Sequence, residues 1–147
     1  MYNYVWPCDI QYYREDFAAA KKGIEGNWGY IDRNENFVIK PQFDEAEPFS
    51  EGLAAVEIDW YWGYIDKVGN VVIEPKYDWV KPFSEGMAAV RIRGDWGYIN
   101  TKGKMIIKPK YEAAGAFNNG VAKVEKYNYD TYDYEYIYID KNGKRVK

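Results

Sequence analysis

The chain has 147 residues, 19% of them aromatic, with no histidine, one cysteine (Cys8) and a formal charge of −3. Zero His excludes the Ser-His-Asp and Cys-His nucleophile systems and His-ligated zinc. One Cys excludes an internal disulfide framework or a multi-Cys metal site, so no metal and no cofactor are expected. The acidic balance, with pI near 5.1, argues against a nucleic-acid partner, and 47% hydrophobic residues argue against disorder.

The opening stretch, MYNYVWPCDIQYYRED, has no basic leader and no continuous apolar run of the signal-peptide kind. No segment approaches the roughly 18 apolar residues that suggest a membrane span. A cytoplasmic chain without a membrane partner is therefore expected, and a lone reduced Cys fits that compartment. Within this stretch Tyr4-Val5-Trp6-Pro7 resembles Val38-Ile39-Lys40-Pro41 further on.

From there the chain repeats itself. WGYID at Trp28–Asp32 recurs thirty-four residues later at Trp62–Asp66, and thirty-four later again as WGYIN at Trp96–Asn100. The same period carries Pro41, Pro75 and Pro109, then Phe49, Phe83 and Phe117, then Gly52, Gly86 and Gly120. A fourth copy follows, degraded to Tyr136-Ile137-Tyr138-Ile139-Asp140 and displaced by six extra residues.

Inside each repeat the hydrophobic pattern has period two, punctuated by turn residues. Leu53–Ile58 reads as a first strand, Asp59–Tyr61 as a hairpin connection and Trp62–Asp66 as a second strand. Lys67–Asn70 reads as a tight turn, and Val71–Glu74 as a third strand stopping near Pro75, since Pro cannot donate to a ladder. The segment around PFSEG then leads to the next repeat. Tyr12–Lys22 comes nearest to a helical pattern, but its alanines fit the first-strand position better.

The expected fold is all-β: a tandem array of about four three-stranded antiparallel units in a single domain, residues 1–147. Residues 1–16 form an N-terminal cap, followed by repeats at 17–50, 51–84 and 85–118 and a truncated repeat at 119–147. No such unit buries its apolar face alone, so neighbours stack. An open stacked array is preferred; the alternative is a closed, propeller-like ring in which Tyr4–Pro7 pairs with Lys144–Lys147.

Units reading G-L-A-x-V, then W-G-Y-I-D-x-x-G-x-V-V-I-x-P-x-Y-D, then P-F-S-E-G resemble the WG-repeat (WG-containing β-repeat) proteins, which are common in bacteria. The resemblance runs from about Phe17 to the C-terminus. It departs where Asp16 and Glu35 replace glycines and where Tyr136-Ile137 replaces Trp-Gly. It implies a non-catalytic repeat scaffold and supplies no catalytic residue.

The repeated residues read as structure. Trp28, Trp62 and Trp96, with Phe49, Phe83, Phe117, Val71, Ile73, Met105 and Ile107, are assigned to a shared core, the following Gly leaving room for a neighbouring ring. Asp32, Asp66, Asn100 and Asp140 read as turn caps, since Asn needs only an acceptor oxygen to replace Asp. Glu51, Glu57, Glu74, Glu85 and Glu125 show no spacing that singles out a catalytic carboxylate pair.

Function is sought where the repeat is broken. Trp60 and Tyr61 stand at a hairpin position that holds Gly94 and Asp95 in the next repeat, and Trp79 stands where others have Glu45 and Ala113. The insertion carries Tyr127, Tyr129, Asp130, Tyr132, Asp133 and Tyr134, a composition of rigid amphipathic contact area with acidic steering charge. The competing reading is purely local: the tryptophans cover a unit edge, and the insertion is a twisted hairpin whose acids guard that edge. The expected function is a non-catalytic protein–protein interaction module using these residues; the alternative is carbohydrate or cell-envelope binding through exposed aromatics.

Overall fold

The computed structural model describes residues 13–21, 23 and 25–146. Cys8 and the segment Tyr4–Pro7, and with it any ring-closing pairing to residues 144–147, lie outside the described residues. Every regular element among those described is a β-strand, and the strands pair antiparallel.

Two compact halves divide the chain, Met1–Lys76 and Tyr77–Lys147. In the first, β1 (Ala18–Lys21), β2 (Trp28–Ile31) and β3 (Phe37–Phe43) form sheet one, in that order. Sheet two runs β4 (Glu45–Ala46), β5 (Ala54–Ile58), β6 (Tyr61–Ile65) and β7 (Val71–Tyr77). Sheet three contains β8 (Trp79–Val80), β9 (Met87–Ile92), β10 (Asp95–Asn100) and β11 (Met105–Tyr111). Sheet four contains β12 (Ala113–Ala114), β13 (Val121–Asn128), β14 (Asp133–Asp140) and β15 (Arg145–Val146). No sheet closes into a barrel among the described residues, as a tandem open array requires.

The three-stranded meander is present in every sheet, and three sheets gain a fourth, two-residue strand from the preceding connection. Thus Glu45 and Ala46 pair with Glu57 and Val56, and Trp79 and Val80 pair with Arg91 and Val90. Each of these sheets therefore takes its first edge strand from the connection that precedes it.

The third strand does not stop at its proline. β7 continues through Pro75 to Tyr77, and β3 and β11 likewise pass Pro41 and Pro109. The reason lies in the register, which slips between Trp28 and Tyr30 opposite β3 and between Trp96 and Tyr98 opposite β11. An irregular, edge-strand position of this kind tolerates a residue without N–H. The glycine of each Trp-Gly pair makes room for that backbone, rather than for a neighbouring ring as its sequence position suggested. A Cβ on Gly29, Gly63 or Gly97 would stand 2.7 Å from the nitrogen of Pro41, Pro75 or Pro109 respectively.

Within the first half, sheets one and two share a core of Trp28, Tyr30, Ile39 and Phe43 against Ala46, Ala54, Val56 and Ile65, with Phe49 between them. Tyr30 meets the Phe49 ring edge-on at 4.8 Å. The second half repeats this arrangement with Tyr98, Ile107 and Tyr111 against Ala114, Ala122, Val124 and Ile139, and Tyr98 meets Phe117 at 4.9 Å. Each such ring contributes roughly 2–3 kcal/mol of burial. The largest fully buried side chains are thus tyrosines, Tyr30, Tyr64 and Tyr98 after Trp-Gly and Tyr77 and Tyr111 at the ends of third strands, which composition alone would place half-exposed. Their hydroxyls are satisfied: Tyr30 donates to the Glu47 carbonyl at 2.6 Å and Tyr98 to the Gly115 carbonyl at 2.7 Å. Burial pushes both phenols far above their usual range.

Three core assignments need correction. Val71 is 43% exposed, because it starts an edge strand with only one flanking neighbour, while Trp96 is half-buried where Trp28 and Trp62 are buried, and Met105, at the start of β11, is half-buried as well. The turn caps are as expected. The Asp66 carboxylate accepts from the Val68 and Asn70 amides at 3.0 and 2.9 Å, and Asn100 accepts from Lys102 and Lys104 at 3.0 and 2.9 Å. Those hydrogen bonds hold the Asp66 carboxyl below its usual range, the Asn70 amide contributing most.

Candidate interaction site

Three groups of residues exceed what the repeat requires, and the structure places each differently. Trp60 occupies a two-residue turn, Asp59-Trp60, between paired Ile58 and Tyr61. Both turn residues have positive φ, 52° and 72°, the signature of a type I′ hairpin. The next repeat meets the same demand with Arg93 and Gly94, at 51° and 91°. A bulky residue in this conformation costs about 1 kcal/mol, and nothing in the core recovers it, since Trp60 is 86% exposed. Beneath the turn, the Asp59 amide donates to the Asp44 carboxylate at 2.8 Å, as the Arg93 amide does to Asp78 at 2.7 Å. Tyr61 beside it is half-exposed.

Trp79 lies on a short strand within the connection that follows the third strand. It forms β8 with Val80, opposite Arg91, and half of its surface is exposed.

The insertion is an extension of the β13–β14 hairpin. Register runs unbroken from Val121 opposite Asp140 to Asn128 opposite Asp133, so the six extra residues lengthen the ladder beyond that of the other repeats. At the tip the Asn128 side chain accepts from the amides of Asp130 and Thr131 at 2.9 and 3.3 Å, and Tyr132 turns the chain at φ 57°. Tyr127, half-buried, is the hub. Its ring meets Tyr129 at 4.9 Å and its cross-strand partner Tyr134 at 5.2 Å, both edge-on. Tyr129 and Tyr132 are nonetheless 77% and 79% exposed, and Asp130 and Asp133 are exposed as well. The structure therefore brings Tyr127, Tyr129 and Tyr134 into one cluster, with Trp79 in a different sheet and Trp60 and Tyr61 in the other half.

Motif similarity concealed a further group. Tyr136 and Tyr138 correspond to the Trp and Tyr of the motif, positions buried or half-buried elsewhere, yet here they are 61% and 45% exposed. The face they occupy has changed character: Lys123 stands where Ala55 and Ala89 are buried, and its ammonium lies 4.2 Å from the Tyr136 ring centre. A hydrogen bond to the Glu125 carboxylate, then that group's charge, raises the Tyr136 phenol. The signals in sequence were the replacement of Trp-Gly by Tyr136-Ile137 and of an alanine by Lys123.

The repeated tryptophans are covered rather than open as platforms. Lys21 lies 5.1 Å from the Trp28 ring, and Lys81 lies 5.1 Å from the Trp96 ring while donating to the Ala114 carbonyl. The glutamates of the PFSEG type also have structural work. Gly120 donates its amide to the Glu85 carboxylate at 3.2 Å, and in the first half Gly52 donates to Glu15 at 2.9 Å. These bonds join corresponding turns of successive repeats. Among the described residues no group of three His, Cys, Asp or Glu side chains is placed to hold a metal ion, and no helix is long and apolar enough to cross a membrane.

Successive antiparallel sheets on one sequence period, packed through a recurrent aromatic core, define a β-repeat module. The chain belongs to the WG containing repeat family, whose model matches three times in succession, over residues 28–59, 62–94 and 96–129. The third match ends inside the long hairpin, at Tyr129. No curated protein matches the chain. The family is not a known enzyme family.

Proposed function

We propose that this chain is a non-catalytic interaction module that binds a protein partner through the Tyr/Asp-rich hairpin, with Trp60, Tyr61 and Trp79 as further contact residues. The observation that carries the reading is the tyrosine cluster: Tyr127 braces Tyr129 and Tyr134 edge-on while most of Tyr129 and Tyr132 faces solvent. Aromatic area held in place before binding loses little entropy on contact, and such residues dominate binding energy. Asp130 and Asp133 add charge that steers a basic partner. Trp60 supports the reading independently, since backbone strain without a packing return is concentrated at functional positions.

The test is affinity capture with mass spectrometry, comparing the natural chain with Tyr129→Ser/Tyr132→Ser and with Trp60→Gly. Both variants are expected to fold, the first because Tyr129 and Tyr132 are exposed and the second because Gly94 serves the equivalent turn. At least one is expected to lose the captured partner, and identical capture by all three proteins overturns the proposal. Carbohydrate binding is the second reading, favoured by the exposed tyrosines at alternate positions 134, 136 and 138. Retention on an oligosaccharide panel, abolished by Tyr136→Ser, would establish it instead.

A further inference from the structure

Sulfur and indole side chains, which oxidants attack readily, are missing from the β13–β14 hairpin: residues 121–140 contain no Cys, Met or Trp. They contain six tyrosines instead. An oxidant that reaches this hairpin therefore meets phenols.

Three of those phenols are held in contact near the tip. The Tyr127 ring centre lies 4.9 Å from that of Tyr129 and 5.2 Å from that of Tyr134, at interplanar angles of 82° and 69°. These separations put the edge of one ring against the face of the next. The backbone fixes both neighbours. Tyr134 is the cross-strand partner of Tyr127, and the pair Asn128 and Asp133 closes the ladder one position further on. Tyr129 opens the loop that follows, where the Asn128 side chain caps the amides of Asp130 and Thr131.

Contact and exposure coincide here. Tyr129 and Tyr134 are 77% and 55% exposed, and Tyr127 is half-buried. In the repeated core, by contrast, Tyr30 and Tyr98 are fully buried and lie against Phe49 and Phe117, rings with no phenolic hydrogen to lose. Tyr132 is exposed but stands outside the three-ring contact.

A phenol that loses one electron and one proton becomes a neutral radical, with spin density on the ring carbons ortho to oxygen. Two such radicals join through those carbons, and rings already in contact need no diffusional encounter. The edge-on arrangement must turn for the carbons to meet. The Tyr χ2 torsion is broad, and Tyr129, mostly in solvent, has room to turn.

We propose that the Tyr127 cluster is an oxidative modification site, at which Tyr127 is joined by a carbon–carbon bond to Tyr129 or Tyr134. The oxidant is hydrogen peroxide acting through a haem peroxidase. Each phenol gives up one electron and one proton, and the peroxide O–O bond breaks to yield two waters. The new bond replaces two ring C–H bonds, whose hydrogens move to oxygen and restore both hydroxyls. The bond would fix an extension that adds no residue from 127–134 to the buried core, as a cross-link limits the excursions of a chain. This site goes beyond the interaction reading and does not depend on it.

The test treats the 147-residue chain with a haem peroxidase and hydrogen peroxide, and follows dityrosine fluorescence. Trypsin then cuts after Lys126 and Lys141, releasing residues 127–141 as one fragment for mass spectrometry. The expected product is this single fragment two hydrogens lighter, with no backbone fragmentation between the joined tyrosines and a yield per chain unchanged by dilution. Tyr127→Phe keeps the ring and removes only its hydroxyl. That variant and Tyr129→Phe/Tyr134→Phe should each give at least about tenfold less product, while Tyr132→Phe gives as much as the natural chain. Circular dichroism matching the natural chain shows that the variants keep the fold. Undiminished coupling in Tyr127→Phe, a bond at Tyr132, or a two-fragment product whose yield falls on dilution would each overturn the proposal. Partner capture without coupling rejects this site alone, and coupling without capture rejects only the interaction reading.

Discussion

A side-chain carbon on Gly97 would lie 2.7 Å from the nitrogen of Pro109, with the Ile107 carbonyl oxygen closer still. The two residues are complementary: one has no Cβ to obstruct a crossing backbone, and the other has no N–H to leave unpaired in it. The same pairing, Gly29 with Pro41 and Gly63 with Pro75, recurs in the first two sheets. Gly97→Ala should therefore cost about 3 kcal/mol or more, because backbone rather than a movable side chain is in the way. Gly94→Ala, with φ 91° but nothing within 4 Å of its Cβ, should cost only about 1 kcal/mol. Urea unfolding midpoints of the two variants measure the difference, and equal losses would contradict the close-crossing account.

Tyr98→Phe keeps the ring against Phe117 but leaves the Gly115 carbonyl without its 2.7 Å donor. A loss of about 1–2 kcal/mol is expected. The pH dependence has a definite sign. Because burial raises the folded-state pKa of Tyr98 and Tyr30 above the unfolded value of 10.0, the folded state keeps its protons while the unfolded chain releases them. Stability is present in full below pH 10 and declines as pH rises beyond it. Thermal unfolding between pH 9 and 11 should show this decline, shallower in Tyr98→Phe.

Glu35 takes φ 63° at the turn position that Gly69, Gly103 and Gly143 hold at 97°, 80° and 82°. Relief of that strain is larger than the entropy a glycine adds to the unfolded chain, so Glu35→Gly should stabilise by up to about 1 kcal/mol. A rise in melting temperature checks it.

Glu57 lies directly opposite Glu45. Burial, then the charges of Glu45 and Asp44, raise its carboxyl above the usual value near 4.5. A raised carboxyl pKa means that the folded state binds the proton more tightly, so stability falls as pH rises from about 4.5 through the folded value. Glu57→Gln should remove that penalty, adding some tenths of a kcal/mol at pH 7 and almost nothing at pH 4. Denaturation at the two pH values decides it.

The period of the chain and its turns were legible because they depend on neighbours in sequence. Asp66 reaches amides two and four residues away, and such contacts follow from local geometry alone. Strand alternation likewise located Trp60 in a hairpin and the Tyr127–Tyr134 segment in an extension. What remained hidden depended on residues far apart. Nothing in the local pattern tells that β8 makes a strand of Trp79, that Val71 is left at an edge, or that Glu85 reaches the Gly120 amide thirty-five residues away.

By itself, then, the sequence determined that this is an all-β tandem array with aromatic repeats and capped turns, since a shared core demands the same side chains at the same period. It did not determine which aromatics are covered. Tyr98 and Tyr138 hold the same motif position, yet one is fully buried and the other 45% exposed. That distinction is tertiary, because burial depends on whether another sheet packs against the face, and the tyrosine's own position in the repeat is the same in either case.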